Sequence, residues 1–280
     1  MKILFTGSSS FTGYHFLKEI NKNKIKTYAV FSKKINNYKD AYQKEILDSK
    51  LKYVKPISNL KFGSKKYIKI IKEKKIDTIC FHHFIVGNLN DRYNFNKNLK
   101  ILLKNIEEVI QTLSNNKKPT IIYTSSVYQR ISTKYEYIND KSRINYGFAK
   151  LILNQVLSFM CKKKKIQFIN FELQNPIGKF EKKNSLPYYV SNCFLNDKEI
   201  KLKNPNRIFT YQFIDFISKD YAKVLKYKKN IKSKYKKNTI YQFKNLFIKK
   251  LERYKKKNNL DNFWSEYLKY YISLDGIYKN

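Results

Sequence analysis

The 280-residue sequence predicts an α/β fold, a doubly wound parallel sheet followed by a smaller mixed C-terminal portion, and three observations carry that expectation. Short apolar runs alternate with longer amphipathic stretches for about 170 residues. A glycine-bearing turn joins the first run to the first stretch, and Pro176, Pro187 and Pro205 break the regularity further on. Strands separated by helices return to the sheet as parallel, right-handed crossovers, which puts helices on both faces.

Taken in order, residues 2–6 read as a buried strand, and residues 12–20 carry Phe16, Leu17 and Ile20 at helical spacing. A second strand over 26–31 completes a strand–helix–strand unit. The alternation continues with a strand at 51–54, a helix over 64–74 and an apolar strand at 78–82. A long helix over 96–113, a strand at 120–124, a helix over 142–161 and a strand at 166–171 follow. Beyond Phe171, helices are expected over 219–225, from Phe247 and from Asn262, whereas the lysine-rich tract 227–238 reads as exposed loop. The expected division is a sheet domain over 1–172 and a smaller portion over 173–280, partly interleaved with the core.

Charge is the extreme property of this chain: 59 Lys and Arg against 21 Asp and Glu, a net +38. Such a balance brings nucleic acid or an anionic membrane surface to mind. Only Arg92, Arg130, Arg143, Arg207 and Arg253 are arginine, however, and 54 residues are lysine. A surface that grips phosphate or base edges favours the bidentate arginine fork. Abundant Lys, Asn, Ile, Tyr and Phe, all with A/T-rich codons, point instead to nucleotide composition and a solvated surface, so no specific nucleic-acid partner is expected. Cys80, Cys161 and Cys193 are an odd number without CxxC spacing, which argues against a disulfide framework or a zinc site. With no signal-peptide pattern after Met1 and Lys2 and no apolar run of about 18 residues, the chain is expected to be soluble and cytoplasmic, with no membrane span.

The turn Thr6-Gly7-Ser8-Ser9-Ser10-Phe11-Thr12-Gly13 stands between the first strand and the first helix. In a Rossmann-type fold that junction brings backbone N–H groups and a helix N-terminus to a pyrophosphate, and glycines let the backbone approach closely. Gly7, Ser10, Phe11, Thr12 and Gly13 are the candidate cofactor-binding residues, with Ser10 at the position of the middle glycine. At the end of the second strand, Ser32 and Lys33 replace the acid that would bind the adenosine 2′-hydroxyl. NAD or NADP is therefore expected, and the missing acid leans toward NADP.

Tyr146-Gly147-Phe148-Ala149-Lys150 opens a predicted helix, and its i, i+4 spacing puts phenol and ammonium on one face. A nearby cation favours the phenolate and moves a tyrosine toward useful basicity. YxxxK is common by chance in so Tyr- and Lys-rich a chain, but this copy follows Thr124-Ser125-Ser126-Val127-Tyr128 by about 20 residues, at the carboxyl end of a predicted parallel strand, where such sheets bind ligands. Together these features resemble the NAD-dependent epimerase/dehydratase family of the extended short-chain dehydrogenase/reductase superfamily. The opening is similar to the family's TGxxGFxG turn. Asn98 stands at its structural asparagine, Asn175-Pro176-Ile177-Gly178 resembles its Asn-Pro-x-Gly segment, and Phe213-Ile214-Asp215 resembles its Phe-Ile-His strand.

The resemblance implies an NAD(P)-dependent enzyme acting on a nucleotide sugar in surface-polysaccharide biosynthesis, and a homodimer formed through two long core helices. Tyr146, Lys150 and a strand-end hydroxyl would be catalytic, with Tyr146 and Lys150 also meeting the cofactor. Alignment on Val127-Tyr128 puts that hydroxyl on Thr124, with Ser125 as second candidate. Asn175 would bind the substrate phosphate. Ser125 and Ser126 occupy the places where a 4,6-dehydratase carries carboxylates, which leaves a C4 epimerase or a 4-keto-sugar reductase. Ser10, Glu172 and Tyr211 depart from the family pattern, so a cofactor-binding member with degraded catalysis is an alternative reading. A basic protein that uses the same scaffold to bind nucleic acid or a membrane surface is another. His15, His82 and His83 lack a clustered carboxylate and read as packing or cofactor neighbours, not as a metal site; Trp264 reads as helix packing.

Overall fold

The computed structural model describes residues 1–84, 94–131, 141–181, 185–231 and 234–255. The expected helix from Asn262, with Trp264, lies outside them. In chain order the elements are β1 (Ile3–Phe5), α1 (Phe11–Lys22), β2 (Thr27–Val30), α2 (Ala41–Leu47), β3 (Val54–Ile57), α3 (Lys65–Glu73) and β4 (Thr78–Phe81). Then come α4 (Phe95–Leu102), α5 (Ile106–Ser114), β5 (Thr120–Ser126), the single turn α6 (Tyr128–Ile131), α7 (Lys141–Lys163) and β6 (Gln167–Leu173). The remainder comprises β7 (Asn175–Ile177), α8 (Leu186–Leu195), β8 (Ile208–Phe213), α9 (Ile214–Tyr227), β9 (Lys236–Thr239) and α10 (Ile240–Lys255).

Six strands make an all-parallel sheet in the order β3-β2-β1-β4-β5-β6, the doubly wound arrangement with its switch point between β1 and β4. Alternation along each strand sends side chains to two separate cores. Leu4, Ile79, Phe81, Ile121 and Tyr123 face α3, α5 and α7, where Tyr67, Ile110, Leu153 and Leu157 complete a buried cluster. On the other face Phe16 of α1 stacks on Tyr221 of α9, ring centroids 4.1 Å apart, and Phe5 and Phe171 meet Tyr221 edge-on. Lys228, just past α9, donates to Thr78 Oγ1 (2.6 Å) and Thr120 Oγ1 (2.9 Å), and its carbonyl accepts from Gln167 Nε2. It ties together the amino ends of β4, β5 and β6.

Contacts divide the chain into two compact units, Met1–Leu173 with Ser218–Lys232, and Gln174–Ile217 with Ser233–Asn280. Residues 218–232 return to the first unit after the chain has entered the second. The second unit is a three-stranded sheet, β7 parallel to β8 and β9 antiparallel to it, around a core of Ile177, Val190, Phe213, Phe243 and Phe247. Among the described residues no helix is long and apolar enough to cross a membrane. All three cysteines are buried free thiols.

Three expectations need correction. The third strand runs over Val54–Ile57, not 51–54, because Leu51 turns inward and its carbonyl takes the Val54 N–H. Pro56 is tolerated there because β3 is an edge strand. The long helix over 96–113 is two helices: Asn105 adopts a left-handed conformation (φ 50°) and its Nδ2 donates to the Gly63 carbonyl, so the chain breaks between α4 and α5. Residues 236–238, expected in a loop, pair with β8 as β9. Short elements such as α2, α6 and β7 carry too few apolar residues to show a period.

Candidate active site

The glycine turn is built by contacts across the switch point. Thr6 Oγ1 donates to the Cys80 carbonyl at 2.9 Å and accepts from the His82 and His83 N–H groups, which locks the end of β1 to the end of β4. Gly7 has a φ of +78°, and a Cβ there would stand 2.9 Å from the His82 backbone. At Gly13 a Cβ would run into the Gly7 carbonyl oxygen. Both glycines are required by the closeness of the turn.

Ser10 has a defined role in place of the absent glycine. It is the N-cap of α1, its hydroxyl accepting from the Gly13 N–H (3.0 Å) and donating to the Gly7 carbonyl (2.9 Å). His82 Nε2 lies 2.9 Å from Thr12 Oγ1 and 3.2 Å from Ser10 Oγ, and Gln43 Nε2 of α2 donates to the Ser9 carbonyl. Phe11 packs edge-on against His15. Desolvation pushes the buried His82 and the half-buried His83 down to about 3 and keeps them neutral near pH 7; the Lys150 charge adds to the effect. They stand beside the turn, and among the described residues no group of three or more metal-ligating side chains forms. At the end of β2, the Ser32 and Lys33 side chains are exposed, while the Lys33 N–H donates to the Tyr38 hydroxyl.

The Tyr–Lys pair lies on α7, against the end of β5. Lys150 is 3% exposed; its Nζ donates to the Thr124 carbonyl at 2.7 Å and stands 4.3 Å from the Phe84 ring centroid. Burial pushes this ammonium down to about 7. The Tyr123 hydroxyl donates to the Lys150 carbonyl, fastening the helix to the strand. Tyr146, one turn earlier, is half-buried, with its ring edge-on to Phe84 (5.0 Å) and to Tyr128 (6.1 Å). Gly147 lets α7 approach α6, since a Cβ would meet the Tyr128 carbonyl.

The two candidate hydroxyls separate. Thr124 lies on the β5 face shared with Ile122, the side on which Tyr221 packs. Ser125 falls on the Tyr123 face, the side covered by α7. Thr124 thus offers Lys150 its carbonyl, and Ser125 is the hydroxyl on the Tyr146 side. Thr124 Oγ1, Ser125 Oγ, His82 Nδ1 and His83 Nε2 are buried polar atoms with no good partner, which a polar ligand at the strand ends would satisfy.

Glu172, next to Ser125 in the β5–β6 register, forms an ion pair with Arg130 Nε at 2.8 Å. Asn98 is buried on α4. In the second unit, Asn175 Nδ2 donates to the Thr210 carbonyl, and Tyr211 is core, 7% exposed, with its hydroxyl donating to Asn238. Phe213 ends β8 and Ile214 starts α9, so the segment resembling a Phe-Ile-His strand is a strand-to-helix junction. Sequence reasoning missed Phe84, Gln43 and the closeness demanded at Gly147; a glycine inside a helix was the available signal for the last.

A parallel sheet with a close glycine turn at its switch point and a Tyr–Lys pair on the helix after β5 defines an α/β dinucleotide-binding enzyme class. The chain belongs to the NAD dependent epimerase/dehydratase family, whose sequence model matches residues 3–239, and is an enzyme of the extended short-chain dehydrogenase/reductase type. No curated protein sequence matches it. Its fold is similar to that of UDP-glucose 4-epimerase from Thermotoga maritima, solved with UDP-glucose: 14% identity, 89% of this chain and 82% of that one, TM-score 0.68. It is also similar to UDP-glucuronic acid 4-epimerase from Bacillus cereus, solved with UDP-glucuronic acid and NAD: 15% identity, 90% and 83% covered, TM-score 0.69. A dTDP-glucose 4,6-dehydratase from Streptomyces venezuelae, solved with NAD, shares the fold at 10% identity, 90% and 81% covered, TM-score 0.68.

Proposed function

We propose that this protein is a nucleotide-sugar C4 epimerase or 4-keto-sugar reductase, cytoplasmic and supplying sugars for surface polysaccharide. The observation that carries the reading is the Lys150 ammonium, fixed to the Thr124 carbonyl one helical turn from Tyr146 at the carboxyl end of β5. The glycine turn and the first amides of α1 would hold the cofactor pyrophosphate, Lys150 its ribose, and Lys33 a 2′-phosphate if NADP is used. Bound nicotinamide supplies the hydride acceptor and donor.

The rest is done by the chain. Tyr146 Oη takes the proton of the sugar hydroxyl as C4 is oxidised and returns it when the ketone is reduced. Lys150 favours the phenolate by its charge, and Ser125 Oγ orients the sugar oxygen. The face alternation predicts that Ser125→Ala lowers kcat by about tenfold or more while Thr124→Val changes it little, a removed positioning hydrogen bond being the difference. Steady-state rates of the two variants check this, and the reverse order would restore Thr124 to the role. None of the positions that follow either candidate hydroxyl, Ser125, Ser126 and Val127, is a carboxylate, which supports epimerase or reductase chemistry over dehydration.

A binding panel of NAD(H) and NADP(H), each with UDP-, GDP-, CDP- and dTDP-sugars, tests the class; failure of every cofactor to bind would end the proposal. The family resemblance and three exposed apolar side chains on α4 and α7, Ile101, Phe148 and Phe159, support a homodimer. Sedimentation velocity at twice the mass of the 33.7 kDa chain checks it. Exposed lysines occur on α1, α2, α3, α4, α7, α9 and α10, a distribution that favours a solvated surface over one polyanion-binding face.

A further inference from the structure

We propose that Phe84 is a positioning residue for the reaction above: its ring, lodged against both Tyr146 and the Lys150 ammonium, keeps water from the lysine and sets the pH at which the pair can hold its charges. The inference rests on the proposed function for its link to turnover, and on geometry alone for its effect on Lys150. Phe84 lies just beyond β4 and is only half-buried, yet its ring touches the two groups that matter, Tyr146 edge-on at 5.0 Å and Lys150 Nζ at 4.3 Å. Tyr123 covers the ammonium from β5 at 5.2 Å, and the Thr124 carbonyl accepts one of its protons. Among the described residues, two aromatic rings and one carbonyl meet the ammonium.

The groups around Lys150 leave the rings in control. From β4, His82 and His83 are neutral near pH 7. Among the described residues, the uncharged Tyr123 and the Thr124 carbonyl meet it from β5. No carboxylate among the described residues offsets the burial, which is why the ammonium is pushed down to about 7. A neutral amine no longer stabilises the Tyr146 phenolate, so activity falls as pH rises through the lysine's midpoint. The ring face also attracts the ammonium, but burial is the larger influence and holds it near 7, so removing the Phe84 ring admits water, favours the charged form and moves that midpoint upward.

Competitive acylation of the full-length protein with acetic anhydride at a series of pH values, read by mass spectrometry on the Lys150 peptide, measures the midpoint without cofactor or substrate. Phe84→Ala is expected to raise it by more than about one unit, and Phe84→Leu, which keeps an apolar cover and the fold, by less than about half a unit. The alkaline limb of kcat/KM is expected to move with it. An unmoved midpoint in Phe84→Ala, or an equal rise in Phe84→Leu, overturns the role of the ring. A moved midpoint with a stationary alkaline limb overturns its role in the reaction. Wild-type protein that turns over no sugar nucleotide refutes the function proposed above and with it that role, while the acylation midpoint still decides whether Phe84 governs Lys150.

Discussion

Tyr146→Phe is expected to lower kcat by a factor of about 10²–10⁴, the range that a positioned acid–base group contributes. Cofactor affinity should stay close to that of the native protein, because the substitution removes one oxygen and leaves the ring against Phe84 and Tyr128. Lys150, held by the Thr124 carbonyl and not by Tyr146, should also stay in place. Turnover measured with the sugar nucleotide chosen by the binding panel, beside a titration of cofactor fluorescence, separates the two quantities. Undiminished turnover would remove Tyr146 from the mechanism. A parallel loss of cofactor binding would make it a structural residue.

The second large effect is expected at a residue with no functional group. Gly147→Ala in an ordinary exposed helix would stabilise the protein by about 1 kcal/mol, since alanine is the better helix former. Here the added Cβ meets the Tyr128 carbonyl, so α7 must shift away from α6. Overpacking of this kind costs about 1–3 kcal/mol, which lowers Tm by roughly 2–4 °C per kcal/mol in a chain of this size. Gly147 lies between Tyr146 and Lys150, so the shift also displaces the pair, and a misplacement of about 1 Å is enough for a 10²-fold loss of rate. Thermal melts and kcat for the one variant test both halves; a more stable, fully active Gly147→Ala protein would show that the close approach does not matter.

The regular half of the molecule was open to reading because its signals are local and repeated. Buried parallel strands such as β1 and β4 are short apolar runs, and the helices between the strands repeat their apolar positions along one face. Their order along the chain then constrains the sheet. Gly7 and Gly13 could be read as a turn because they stand where the first apolar run ends and the first helical period begins. Assigning the strand-end hydroxyl was harder. Alignment of Val127-Tyr128 selects Thr124, but the face a side chain takes depends on where β5 ends, and the pairing of Ser125 and Ser126 with β6 is a tertiary fact.

Elsewhere the information was not local at all. The Lys150 environment comes from Phe84, 66 positions earlier by sequence number, and from strand neighbours that no spacing rule connects. Tyr211, a departure from the family pattern on paper, is accounted for by the packing of Phe209, Phe243 and its own hydroxyl bond to Asn238. Ser10 is likewise explained by the cap it forms. The composition that dominates the chain says least about the candidate site: the lysine proposed for the chemistry is the buried Lys150, in a sequence where many others meet solvent.

Lys228 has a consequence for how the protein is made. Its bonds to Thr78 and Thr120 join residues 150 and 108 positions apart, and Tyr221 packs on Phe16 from the same late segment. While the ribosome is still adding residues 174–217, at about 5–20 residues per second, the six strands exist but one face lacks Tyr221 and the amino ends of β4, β5 and β6 lack Lys228. For a few seconds of synthesis a greasy sheet face waits uncovered, the condition under which nascent chains call on chaperones. A truncation after β6 is thus a poor way to produce the six-stranded sheet alone.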